Sequence, residues 1–134
     1  MRNKTILAAI LLIAVFLVGF FPQYVKVNRL ENELRQSRQG AAGAELRDLI
    51  GFAYVQASQK NYGLAAETGS RFFQRVRDVA NQTQDANRRK ALEELLALRD
   101  SVTAALAKGD AAVMGDLQQL FVKARQATRS WSEP

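Results

Sequence analysis

Hydrophobic residues follow two different patterns along this chain, and they meet at Pro22. From Thr5 to Phe21 the sequence runs Thr-Ile-Leu-Ala-Ala-Ile-Leu-Leu-Ile-Ala-Val-Phe-Leu-Val-Gly-Phe-Phe without a charge, and Pro22, Gln23 and Tyr24 close it. A helix of about 20 mostly apolar residues matches the hydrocarbon thickness of a bilayer, whereas a helix on the surface of a folded domain needs only one apolar stripe. The run is at the short end of that length and is apolar all round. It predicts a transmembrane anchor over residues 1–24, with Ile6, Leu7, Ile10, Leu11, Leu12, Ile13, Val15, Phe16, Leu17, Phe20 and Phe21 facing lipid.

Arg2 and Lys4 ahead of an apolar core are also how a secretory signal opens. The boundary Val-Gly-Phe-Phe-Pro-Gln-Tyr has no small-x-small cleavage site, and Tyr24 falls where interfacial aromatics collect, so an uncleaved anchor is expected. Lys and Arg flank the run on both sides, so charge alone does not set its direction. A short basic start followed by a long domain is the signal-anchor arrangement, which puts the body outside the cytoplasm, in a periplasmic or extracellular space.

Past Tyr24 the apolar positions fall on one side only. Val27, Leu30 and Leu34 recur at coiled-coil spacing among Arg29, Glu31, Glu33 and Arg35. This spacing lasts under two heptads, short of the three or four a coiled coil needs. A juxtamembrane helix that pairs weakly in a homodimer and a solvated linker helix both fit. Gly40-Ala-Ala-Gly43 then suggests a hinge, because two close glycines weaken a helix. Residues 25–43 are read as stalk and hinge.

Four amphipathic helices follow over residues 44–130. The first, from Ala44 to about Lys60, carries Leu46, Leu49, Ile50, Ala53, Tyr54 and Ala57 at helical spacing. After the turn Asn61-Tyr62-Gly63, the second carries Ala65, Ala66, Gly69, Phe72, Phe73, Val76 and Val79, and its small residues are expected to admit a close neighbour. The polar segment Asn81–Asn87 separates it from a third helix with Leu92, Leu95, Leu96, Leu98, Val102 and Leu106, closed by Gly109. Asp110 is expected to cap a fourth, with Val113, Leu117, Leu120, Phe121 and Ala124. The polar tail from Arg125, including Trp131, is expected to fray, with residues 131–134 outside the bundle. No alternation of strand period appears. The fold class is therefore all-α: one N-terminal transmembrane helix, a short juxtamembrane helix, and an antiparallel four-helix bundle of two hairpins.

The two hairpins echo each other at an offset of 48 residues, placing Ala57 over Ala105, Lys60 over Lys108, Phe72 over Leu120 and Phe73 over Phe121. Ile50-Gly-Phe-Ala-Tyr54 with Tyr62 and Ala65 resembles the first helix and turn of a tetratricopeptide-type hairpin. The turn here is longer and Gly69 stands where that pattern has a large residue, so the resemblance covers one hairpin and brings no binding residues with it.

Composition narrows the chemistry. The chain has no Cys and no His, which removes thiolate nucleophiles, imidazole bases and the commonest zinc ligands. Glu93 and Glu94 are adjacent and so diverge on a helix, no Gly-rich phosphate loop is present, and the serines have no imidazole partner. No catalytic residue, cofactor site or metal site is expected. The net charge of +6 is spread along the sequence, which suits a membrane surface better than a nucleic-acid interface. Arg88-Arg89-Lys90 is unusual in placing positive charge at a helix N-terminus, against the macrodipole. An up-and-down bundle would bring Arg88, Arg89, Lys90, Arg125, Arg129 and Trp131 to one end, as a contact for anionic headgroups or a partner subunit.

These readings point to a single-pass, non-catalytic adaptor or scaffold that engages the lipid bilayer and a protein partner. The alternative is a small ligand-sensing bundle with its ligand near Tyr54, Tyr62 and Phe72, signalling through a partner protein.

Overall fold

The computed structural model describes the backbone of residues 2–131 and the side chains of residues 3–18 and 25–131. The described residues are all-helical: α1 (Arg2–Ser58), α2 (Tyr62–Gln82), α3 (Ala86–Leu96), α4 (Arg99–Lys108), α5 (Val113–Thr128) and a closing 3₁₀ turn, Arg129–Trp131. The chain divides into two compact units, Met1–Ser37 and Arg38–Pro134.

In the first unit the large apolar side chains of Ile6 to Val18 are each between 52% and 75% exposed. Among the described residues no helix is long and apolar enough to cross a membrane, so the expected transmembrane helix is not supported there. The described side chains of the run stop at Val18. The expected anchor residues Phe20 and Phe21, with Pro22 and Tyr24, lie outside them.

The second unit has its own core. α1 contributes Ala42, Leu46, Ile50, Ala53 and Ala57; α2 contributes Ala65, Phe72, Phe73, Val76, Val79 and Ala80. Leu92, Leu95, Val102 and Leu106 of α3 and α4 and Val113, Leu117, Leu120 and Ala124 of α5 complete it. Phe72 and Phe73 meet edge to face at 5.2 Å, the geometry their ring quadrupoles favour. At the surface Glu45 Oε2 accepts from Arg75 Nε at 2.7 Å, which ties α1 to α2.

Three local features differ from the sequence reading. First, Gly40–Gly43 does not interrupt the helix: α1 is helical throughout it. A Cβ on Gly43 would sit 3.1 Å from Trp131 Cε3 and 3.2 Å from Thr128 Cβ, so this glycine admits the end of α5 against α1. Its role is a close approach, which sequence spacing does not distinguish from a bend.

Second, the tail does not fray at Trp131. That residue is 3% exposed, and Thr128 is fully buried, its hydroxyl donating to Ala124 O at 2.8 Å and accepting from Arg47 Nη1 at 2.7 Å. Ser132–Pro134 lie outside the described residues.

Third, the expected third helix is two. Ala97 and Leu98 break it, with Leu98 N bonding to Leu95 O at 3.2 Å in a tightened turn. In one unbroken helix Arg99 would fall between Leu95 and Val102 on the buried stripe. At the break its side chain is instead 43% exposed and pairs with Asp100.

The hairpin echo is visible in burial, with a shift in register. Ala65, Gly69, Phe72, Val76 and Ala80 match Val113, Leu117, Leu120, Ala124 and Thr128 at the offset of 48, every one buried. In the preceding helices the buried Leu46, Ala53 and Ala57 match Leu95, Val102 and Leu106 at 49. The helix ends agree with 49: Lys60 N bonds to Ala57 O and Asn61 N to Gln56 O, just as Gly109 N bonds to Leu106 O and Asp110 N to Ala105 O. Both are Schellman closures around a left-handed residue, at φ 63 for Lys60 and φ 64 for Gly109. The second turn is therefore one residue shorter. Asp110 caps the short turn ahead of α5, accepting from Ala112 N at 2.9 Å, and α5 itself begins at Val113.

Gly43 and Gly69 should respond oppositely to alanine. A Cβ on Gly69 would meet Leu106 Cδ1 at 3.6 Å, an ordinary contact, so Gly69→Ala should keep or raise stability through helix propensity, by up to about 1 kcal/mol. Gly43→Ala should lower stability by about 1 kcal/mol, since overpacking outweighs propensity where Thr128 and Trp131 are both held. Chemical denaturation of the two variants checks the pair of signs.

Candidate functional site

The basic group expected at one end of the bundle is built by the end of α2, the start of α3 and the 3₁₀ turn after α5. Asp85 is the N-cap of α3, its Oδ1 accepting from Asn87 N at 2.8 Å and Arg88 N at 3.1 Å. This satisfies two of the amides a helix start leaves unpaired and puts a negative charge at the positive end of the dipole.

Arg88 then turns inward. Its Nη1 donates to Gln39 Oε1 at 2.6 Å, its Nε lies 4.0 Å from Asp85 Oδ2, and its guanidinium carbon is 5.9 Å from the centre of the Trp131 ring. The side chain is only 29% exposed, so much of this cation serves to join α1, α3 and the chain end. Trp131 fills the same corner, with Nε1 buried and without a hydrogen-bond partner among the described residues.

Arg89 reaches back to the previous helix, Nη2 donating to Thr83 O at 2.6 Å. Thr83 is the C-cap of α2, where carbonyls are left unpaired and the dipole is negative. The charge that opposes the start of α3 is thus offset by the end of α2 and by Asp85. The remaining cations are more dispersed. Lys90 is exposed, Arg125 lies over Phe121 at 5.9 Å on α5, and Arg129 is exposed in the 3₁₀ turn.

The structure therefore joins Arg88 to Trp131, gives Arg89 a capping contact, and aims Arg125 at Phe121. Gln39, Thr83 and Asp85 belong to the same corner and were not expected in it. Asp85 just ahead of a helix start was readable as a cap. Gln39, 49 residues from its partner Arg88, carried no local signal.

The three residues suggested around a sensed ligand belong to the core or its edge. Phe72 is fully buried, while Tyr54 and Tyr62 pack against the core, Tyr62 lying where a Cβ on Gly109 would be 3.4 Å from its ring. An open groove of about 720 Å³ lies elsewhere, between α2 and α4, bordered by Phe73, Gln74, Arg77, Arg99, Asp100 and Thr103. Among the described residues no group of three or more acidic side chains is placed to hold a metal ion. Comparison with protein-family models, with curated proteins and with solved structures finds no match to this chain.

Arg88 and Lys90 are separable by stability. Arg88→Ala should destabilise the fold by about 1–2 kcal/mol, because it removes a charge-assisted bond to Gln39 and the contact with the indole. Lys90→Gln should leave the unfolding midpoint unchanged. Thermal denaturation followed by Trp131 fluorescence reads both.

Proposed function

We propose that the chain is a single-pass, membrane-anchored helical bundle that acts as a non-catalytic adaptor, holding a small α-helical body at a bilayer where it engages another protein. The observation that carries this reading is the segment from Ile6 to Val18, whose large apolar side chains are all more than half exposed, in a chain whose second unit completes a core without them. Water does not tolerate an apolar surface of that extent on every face of a helix, and lipid does. The sequence continues the run through Gly19, Phe20 and Phe21, which brings it to spanning length.

The basic start and the long domain after the run support a body outside the cytoplasm. The adaptor reading, over catalysis, is supported by the absence of Cys and His from the sequence and by the structural duties of the strongest cationic cluster. Exposed Phe52 and Val55 on α1 and Val122 on α5 supply apolar surface of the kind a protein partner covers.

Carbonate extraction tests the anchor. The full-length chain should stay in the membrane pellet, and Leu12→Arg should move a substantial fraction into the supernatant. A charge at the centre of a span costs about 2.5–3.5 kcal/mol, and a run this short has little apolar surplus to absorb it. Wild-type protein recovered in the supernatant would remove the reading.

A further inference from the structure

Val27, Leu30 and Leu34 of α1 are 54%, 60% and 53% exposed, although they lie on one stripe of a well-formed helix. Set as a, d and a of a heptad, they place Asn28, Arg29, Asn32, Arg35 and Gln36 at the b, c and f positions between residues 26 and 38, all of them polar, and Val25 just before them falls at f. The same register puts Lys26 and Glu33 at g and Glu31 and Arg38 at e. In two copies side by side, each g residue faces the e residue five positions on. Lys26 then meets Glu31 of the second copy, and Glu33 meets Arg38 of the second copy.

We infer that residues 26–38 of α1 are a homotypic interface, which pairs with a second copy of this chain as a parallel, in-register, two-stranded coiled coil. Both charge pairs across the seam are attractive and none repels. Glu33 Oε1 already accepts from Arg29 Nε at 3.0 Å on its own helix. Val27 at a with Leu30 at d is the combination that favours two strands, and the next heptad has Leu34 at a and Ser37 at d.

The four charges would also match in an antiparallel pair. The parallel choice comes from the anchor and so rests on the proposed function: copies inserted in one bilayer with the same orientation bring their stalks out side by side. The same tether compensates for length. A seam of under two heptads is marginal in free solution, but confinement to one membrane raises the effective concentration of one stalk around another.

The chain has no cysteine, so introduced ones report alone. Single substitutions Val27→Cys, Leu30→Cys, Leu34→Cys, Asn28→Cys and Asn32→Cys in the full-length chain are oxidised in membranes, and dimer is scored separately in the carbonate pellet and supernatant. Disulfide-linked dimer at 27, 30 and 34, and little at 28 and 32, is the expected result. In the Leu30→Cys background, Lys26→Glu should cut the dimer about three- to tenfold by making both Lys26–Glu31 contacts repulsive, and adding Glu31→Lys should restore it.

Chain in the pellet with no difference between stripe and outward positions overturns the dimer and leaves the anchor standing. Chain in the supernatant that still crosslinks at 27, 30 and 34 keeps the dimer and removes the anchor. Failure of Glu31→Lys to rescue overturns the parallel register, because in an antiparallel pair that double change adds a second repulsion.

Discussion

The end of α5 packs closely against α1 at Gly43. A side chain there would press on both Thr128 and Trp131, and its absence lets the last turn of the chain close over the first helix. Arg47 meets Thr128 and Arg88 meets Trp131 at the same end, and Arg88 also reaches Gln39. None of these contacts joins residues near each other in sequence. They convert a set of amphipathic helices into a body with a defined end, at a point where the sequence suggested only a weak helix and a loose tail.

The charges at the junction of α2 and α3 are arranged along helix ends. Asp85 begins α3, Arg89 finishes α2, and the cations that seemed misplaced in sequence belong to the junction of the two. The neighbouring helix end changes the sign of the local argument, since a cation unfavourable for one dipole is favourable for the other. This also changes the meaning of the basic cluster. Arg88 is a structural cation first, and Arg89, Lys90, Arg125 and Arg129 are exposed.

The internal echo shows how much irregularity a helical pair absorbs. Both hairpins end their first helix with the same closure, although one uses Lys60 and the other Gly109 at the left-handed position. One residue fewer in the second turn shifts the register, and the buried positions after it fall back into step. The break at Ala97–Leu98 sits next to the one point where a straight helix would have carried Arg99 onto the buried stripe. Hydrophobic spacing at Leu46, Leu95 and their neighbours tolerates such changes because burial needs the right face and not the right residue count.

What the sequence determined by itself depends on near neighbours. Helical period placed Leu46, Ile50, Phe72, Val76, Leu117 and Leu120 in the core, the apolar run set apart the N-terminal segment, and Gly109 marked a helix end, because each is a matter of residues three to seven apart. Tertiary structure decided what those local signals could not. Gly43 meets Trp131 and Thr128, Trp131 is core and not tail, and Arg88 packs on Gln39 and Trp131, because in each case the partner is far along the chain and only packing brings it near.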